Sequence, residues 1–364
     1  LPSSAQAAVA GFANELHGRL SNHSVGFQFT VSYKYNFIAE RAGGLARLGQ
    51  DLPARMMSFH DRYNVASVSK TITAAALLRA LLDSSQASLD SPFAPFLPSH
   101  WGVHNSLKNI TFRQLLQHRS GFRFANQVTY AAMKGNMAAG VNAGNIGSYD
   151  YNNVNYGIMR LLIPRLAGYN LFQLSPGTPS VLAPALESGQ DLQLASCYID
   201  YTQKKVWDKA GAPPMACKPT DNYPALCYQF PPNLGKGTHF GDMTLTCGSR
   251  GWNASSVHLN AFQRALHLFN AILPESLAKK MIDEQLGYDG SGTTKNAYTY
   301  YHKGGYYPGS MNPGELHSYI IGFSNGVQLA LIINSQFDGP DDLLGTVIQA
   351  FDAAYPLFIH WPIG

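Results

Sequence analysis

The chain is poor in charge: of 364 residues only 13% are Asp, Glu, Lys or Arg, and the formal net charge is +4. Its 26 Lys and Arg are spread thinly, with no basic cluster that could track phosphates, which argues against a nucleic-acid partner. No run of roughly 18 apolar residues occurs, so no membrane span is expected. The stretch from Leu1 has no basic segment followed by an apolar core, and a signal peptide is expected to be absent or already removed. Cysteine is scarce. Cys197, Cys217, Cys227 and Cys247 all fall in one loop-rich segment, without C-x-x-C spacing or paired histidines, so a zinc site is a poor reading. An even, clustered number reads instead as two disulfides, with three possible connectivities. With sequons at Asn22, Asn109 and Asn253, this points to an exported protein, secreted or periplasmic.

There is ample length for a large core. Residues 25–36, "VGFQFTVSYKYN", alternate and are rich in β-formers, and "FIAERAGGLARLG" can pair back as a hairpin. Residues 67–83 predict a strong helix. Thr111 and Gln114 have capping-box spacing before a second helix that closes near Gly121. Residues 166–250 carry Pro, Gly, Asn and all four cysteines with little periodicity, and read as a long cross-linked excursion. Leu259, Phe262, Leu266 and Phe269 then form a helical stripe capped by Ser255 or Ser256. "SYIIGFSNGVQLALIINS" reads as two strands around an Asn325-Gly326 type I′ turn, and "DDLLGTVIQAFDAAY" as a final helix. Strands at both chain ends with helices between suggest one sheet built from both termini.

On a 67–83 helix, Ser67 and Lys70 share a face that Ala74, Leu77, Leu78 and Leu81 bury. A buried ammonium loses hydration, its pKa falls, and it can act as base for a seryl nucleophile. S-x-x-K alone is weak: Ser276 and Lys279 match it too, in a charged segment that reads as an exposed helix start. Tyr151-Asn152-Asn153 is the one Y-x-N triplet, and a phenol beside a buried lysine can relay a proton. His302-Lys303-Gly304-Gly305 follows a Tyr-rich strand, where glycines let a substrate lie along the edge and a backbone N–H can bind an oxyanion. Tyr63, Tyr149, Tyr156, Tyr300, Tyr301, Tyr306 and Tyr307 crowd these motifs, either as pocket walls or as packing. There is no G-x-S-x-G elbow, no H-E-x-x-H and no complete P-loop.

Ser67-x-x-Lys70, "ITFRQLLQHRSGF", Tyr151-x-Asn153, "GSRGWNASSVHLNAF" and "HKGGYYPG" stand in the order seen in the serine β-lactamase and penicillin-binding-protein superfamily. The chain most resembles the class C-type branch, which includes D-aminopeptidases, DD-carboxypeptidases and carboxylesterases, over nearly its whole length except 166–250. The resemblance implies an α+β, β-lactamase/transpeptidase-like fold: an antiparallel sheet built from both chain ends (1–84 and 251–364), flanked by helices, with a mostly helical domain inserted at 85–250. It implies Ser67 as acylated nucleophile, Lys70 as its base partner, Tyr151 as second proton-transfer group and Asn153 as a substrate-amide contact. His302 would lead the third motif and Gly305 would donate the second oxyanion N–H beside that of Ser67, with Gly304 between them and Lys303. A one-residue slip would put Lys303 first. The His302 register is preferred because "GYYPG" then sits where the family usually has a Gly…Pro-Gly turn.

Lys303 in the middle would replace the usual small hydroxyl residue, which weakens a β-lactam reading. The expected activity is therefore a serine hydrolase cleaving a small ester, peptide or D-amino-acid amide through acyl-Ser67. It would act on a small molecule or short peptide, with no metal or cofactor. The alternatives are a β-lactamase or DD-carboxypeptidase, an acyltransferase, or an inactive binding protein of the same fold.

Overall fold

Seven strands form an antiparallel sheet in the order β3-β2-β1-β9-β8-β7-β6 in a computed structural model, which describes residues 3–34, 36–175, 177–309 and 314–354. They are β1 (Gly26–Tyr33), β2 (Asn36–Arg47), β3 (Arg55–Met56), β6 (Gly290–Thr293), β7 (Thr299–Tyr307), β8 (Leu316–Phe323) and β9 (Val327–Ile333). The short β4 (Tyr63–Asn64) and β5 (Asn253–Ala254) pair separately. Ten α-helices accompany them among the described residues: α1 (Ser3–Leu20), α2 (Ser69–Asp83), α3 (Phe112–Leu116), α4 (Tyr130–Ala139) and α5 (Val154–Gly157) come first. The others are α6 (Met159–Leu166), α7 (Ala183–Thr202), α8 (Ser256–His267), α9 (Glu275–Asp283) and α10 (Leu343–Ala353). None is long and apolar enough to cross a membrane.

Because β1 pairs with both β2 and β9, the sheet is closed in its middle by the two ends of the chain, as the strand distribution predicted. Its alternation does not leave one face wet. Phe27, Phe29 and Val31 pack in one apolar cluster with α1 and α10, while Gln28 and Thr30 point to the opposite face and are equally buried. There α8 satisfies them: the Ser256 N–H donates to Gln28 Oε1 at 2.9 Å, and Thr30 and Ser256 hydroxyls lie 3.1 Å apart. Buried polar atoms need such partners, so the polar face fixes where α8 starts. Ser255 caps that helix, its oxygen accepting from the His258 N–H. Phe269 lies beyond the helix end rather than on its stripe.

Three expectations are corrected. The β8–β9 connection is a three-residue loop, Ser324-Asn325-Gly326, not a type I′ pair: only Gly326 carries positive φ (89°), and its N–H closes onto the Phe323 carbonyl at 2.9 Å. That is the turn in which a left-handed glycine follows a type I bend. The 166–250 segment, read as aperiodic, holds the 20-residue helix α7. Its buried face is partly polar, because Asp191 pairs with Arg160 of α6 and Gln190 accepts from the Tyr130 hydroxyl, so no apolar stripe marks it. Finally, all four thiols are free. Cys197 sits on α7 and Cys227 on an isolated bridge to Thr238; only Cys217 and Cys247 are neighbours, and burial, then Cys247, push the Cys217 thiol up. The cysteines therefore no longer bear on compartment.

The Arg160–Asp191 pair ties α6, which follows the Tyr151 loop, to α7, and both side chains are almost fully buried. Arg160→Leu is expected to destabilise the protein by about 3 kcal/mol in denaturant unfolding, because it strands a buried carboxylate. Replacing both residues by apolar side chains should recover most of that loss.

Candidate active site

A single 3₁₀ turn, Ala66–Val68, leads into α2 and places Ser67 one turn ahead of Lys70. Ala66 sits at φ 45°, a left-handed conformation unusual for a residue with a Cβ, and its N–H is held by Asn64 Oδ1 at 3.0 Å. Ser67 is half-buried, whereas Lys70 is only 1% exposed, so its amine is out of bulk water. Lys70 Nζ donates to Ser67 Oγ at 3.1 Å, Asn153 Oδ1 at 2.9 Å and the Ser249 carbonyl at 2.8 Å. Burial, then the Lys303 ammonium, hold its pKa well below the ordinary lysine range; Asp289 opposes the shift and Arg250 adds to it.

The Tyr151 hydroxyl donates to Ser67 Oγ at 2.8 Å. The loop that carries it is fixed by its neighbour: buried Asn152 accepts from the Ala125 N–H at 2.7 Å and donates to the Phe122 carbonyl at 2.8 Å. Asn153, expected as a substrate contact, lines the cleft and holds Lys70. Lys70 and Lys303 ammonium groups lie 4.9 and 5.2 Å from the Tyr151 ring centre. His118 supports the third side, its ring 4.4 Å from that of Tyr151. Burial, helped by Lys70 and Lys303, pushes the His118 pKa down to about 2, so the ring is neutral. Its Nδ1 accepts from the Asn152 N–H at 3.3 Å, which leaves the proton on Nε2. The sequence offered one signal for it, the histidine inside "LLQHRSGF".

The third motif is in the other register. Along β7, Tyr301, Lys303, Gly305 and Tyr307 share one face and His302 and Gly304 the other, as strand alternation demands. Lys303 is the residue that reaches Tyr151; it is buried and paired with Asp289. His302 turns away, between the rings of Tyr300 and Tyr319. Lys303-Gly304-Gly305 is therefore the triplet that faces Ser67. Backbone direction alternates in the same way. His302 C=O and Gly304 N–H point to the β6 edge, accepting from the Asp289 N–H and donating to Asp289 Oδ2 at 2.8 Å. By that parity Gly305 directs its N–H across to β8, opposite Ser318, while Tyr306 directs its own to the edge that is unpaired among the described residues. The open backbone donor is that of Tyr306, not Gly305.

Gly305 has a different part. A Cβ built on it would lie 2.5 Å from the Val65 carbonyl and 2.9 Å from Ser67 N. Only a glycine lets β7 approach the Ser67 turn this closely. Gly305→Ala should push strand and turn apart and lower kcat/KM about ten- to hundredfold, since small displacements of reacting groups cost that much. A melting curve would separate this from unfolding.

Ser67, Tyr151, Asn153, Arg250, Tyr306 and Tyr307 line a cleft of about 160 Å³. The tyrosines thus divide: Tyr306 and Tyr307 form walls, Tyr63 and Tyr156 are core, and Tyr149 is exposed. Ser276 and Lys279, the second S-x-x-K, lie on α9, where Lys279 pairs with Asp283 at 2.6 Å. A hydroxyl bonded to an amine and a phenol, next to outward N–H groups, is suited to attack on a carbonyl carbon.

Comparison with known proteins agrees. The Beta-lactamase family model matches residues 7–175. Solved structures that superpose include the octameric penicillin-binding protein homologue from Pyrococcus abyssi (TM-score 0.68, 14% identity, 96% of this chain and 77% of that one). D-amino acid amidase from Ochrobactrum anthropi SV3, complexed with D-phenylalanine, gives 0.68 at 17% identity, covering 96% and 99% of the two chains. A class C β-lactamase from Rhodobacter sphaeroides gives 0.66 at 15% identity, covering 96% and 99%. At these identities the structural likeness speaks for the fold, and the family match covers the segment that carries Ser67, Lys70, Tyr151 and Asn153. Over residues 7–175, and in its fold, the chain is similar to the serine β-lactamase-like superfamily.

Proposed function

We propose that the protein is a serine hydrolase that cleaves a small ester or amide, D-amino-acid amides included, through a covalent acyl-Ser67 intermediate. One observation carries this: Ser67 Oγ is bonded at once by Lys70 Nζ at 3.1 Å and by the Tyr151 hydroxyl at 2.8 Å. Ser67 attacks the carbonyl carbon while its proton passes to Lys70 in its deprotonated form, which the lowered pKa makes accessible, and on through Tyr151 to the leaving group. The oxyanion is held by the N–H groups of Ser67 and Tyr306. Water then repeats the attack on the acyl carbon, and Ser67 is released. Lys70, Lys303 and Arg250 surround the forming alkoxide with positive charge, which favours it in a partly desolvated cleft. The D-amino acid amidase fold supports an amide or ester substrate. The Lys303 register puts Gly304, which has no hydroxyl, at the middle of the motif, and this disfavours β-lactams.

The test is intact mass spectrometry after acid quench with p-nitrophenyl esters, D-phenylalanine amide and a penicillin, followed by mapping of the adduct. An acyl adduct on the Ser67 peptide from an ester or amide is expected. A penicilloyl adduct alone would overturn the substrate reading. No adduct from any of them, and no labelling by a fluorophosphonate, would make the protein a binding protein. Added alcohol or amine diverting the product would make it an acyltransferase.

A further inference from the structure

We propose that Arg250 binds an anionic oxygen group, a carboxylate on the simplest chemistry, carried by the substrate a few bonds from the carbonyl that Ser67 attacks. This rests on the reading of the Ser67 cleft as the substrate site. The three cations around the cleft are not equivalent. Lys303 has its acid, Asp289, and Lys70 is held by three oxygens that are already in place. Arg250 lines the same cleft and makes no hydrogen bond or ion pair among the described residues, and its Nε is buried without a partner. A guanidinium presents its donors in a rigid fork that matches a carboxylate, and one of them, Nε, is buried at the cleft with no acceptor.

The backbone presents this side chain by construction. Gly248 and Gly251 bracket Ser249-Arg250 with φ of 103° and 111°, conformations that suit glycine. On one side the Ser249 carbonyl is fixed by Lys70 at 2.8 Å. On the other, the Trp252 N–H meets Ser69 Oγ at 3.3 Å, its carbonyl accepts from Val65, and its ring is fully buried against Trp207 and Tyr198. The Arg250 backbone is thus held one residue from the carbonyl that accepts from Lys70, with its side chain lining the cleft. Asp289 is taken by Lys303 and by the Gly304 N–H. A negative group on the substrate would complete the fork.

The experiment compares mono-p-nitrophenyl glutarate with p-nitrophenyl butyrate in wild-type protein, Arg250→Ala and Arg250→Lys. The ratio of kcat/KM for the charged over the neutral ester is expected to exceed one in the wild type and to fall about 10- to 100-fold in Arg250→Ala. Arg250→Lys should restore it in part, since it keeps the charge and loses the fork. A ratio unmoved by Arg250→Ala overturns the proposal. A second arm needs no turnover: calorimetric binding of both esters to Ser67→Ala and to Ser67→Ala/Arg250→Ala. Tighter binding of the charged ester that vanishes with Arg250 supports the assignment, and equal binding, or a preference that survives the loss of Arg250, refutes it. Should neither ester be hydrolysed, the hydrolase reading fails on its own while the binding arm still decides Arg250.

Discussion

Ser67→Ala is expected to lose hydrolysis by roughly 10³- to 10⁵-fold, leaving only the residue of catalysis that binding and oxyanion donors provide. The size follows from the absence of a substitute in the cleft. The hydroxyl of Ser318 is committed to the Val65 carbonyl at 2.8 Å, and the Tyr151 hydroxyl is a donor to Ser67 rather than a group with its own base. The variant should keep its fold, because Ser67 is half-buried and bonds only through an oxygen that Lys70 can trade for water. Steady-state assays on the best ester from the mass panel, with a melting curve beside them, measure it. Ser276→Ala is the matched control: the same motif on the surface of α9, expected to change the rate by less than twofold. A Ser67→Ala protein that turned over at the wild-type rate would remove the acyl-enzyme from consideration.

The two S-x-x-K copies show where sequence suffices. Both sit at helix starts, but the run after Ser67 is apolar on the face Lys70 shares, and Lys70 is 1% exposed. The hairpin β1–β2 and the cap at Ser255 were equally legible, since a strand period of two and a cap residue are local properties. "HKGG" was not. Two adjacent cations before two glycines fit the motif in either register, and composition cannot say which lies inward. The phase of β7 decides it, and that phase is set by Tyr301 and Tyr307 packing into the core and by Gly305 passing Ser67. The same slip moved the backbone donor from Gly305 to Tyr306. Helix α7 was hidden for another reason: its inward positions include Gln190 and Asp191, whose partners Tyr130 and Arg160 lie 60 and 31 residues away. Long-range polar pairing leaves no local period.

Lys70→Met should lower the acylation rate about 10²- to 10⁴-fold, the range that a positioned general base supplies. Lys70→Arg should do no better despite keeping the charge, because a guanidinium cannot give up its proton near neutral pH. The pH profile carries the mechanism. A lysine with a depressed pKa is neutral above that value and protonated below it, so the rate should fall as pH drops through it, along an acid limb below the ordinary lysine range. Lys303 is the largest cause after burial, and Asp289 acts in the opposite sense. Lys303→Met removes the first and leaves the second opposed only by burial and Arg250, and the pKa of Lys70 rises. The acid limb should therefore move to higher pH, and activity at neutral pH should fall while the maximal rate at alkaline pH is better preserved. A limb that stays in place in Lys303→Met would assign the proton to a group other than Lys70, with Tyr151 then the acceptor that remains on Ser67.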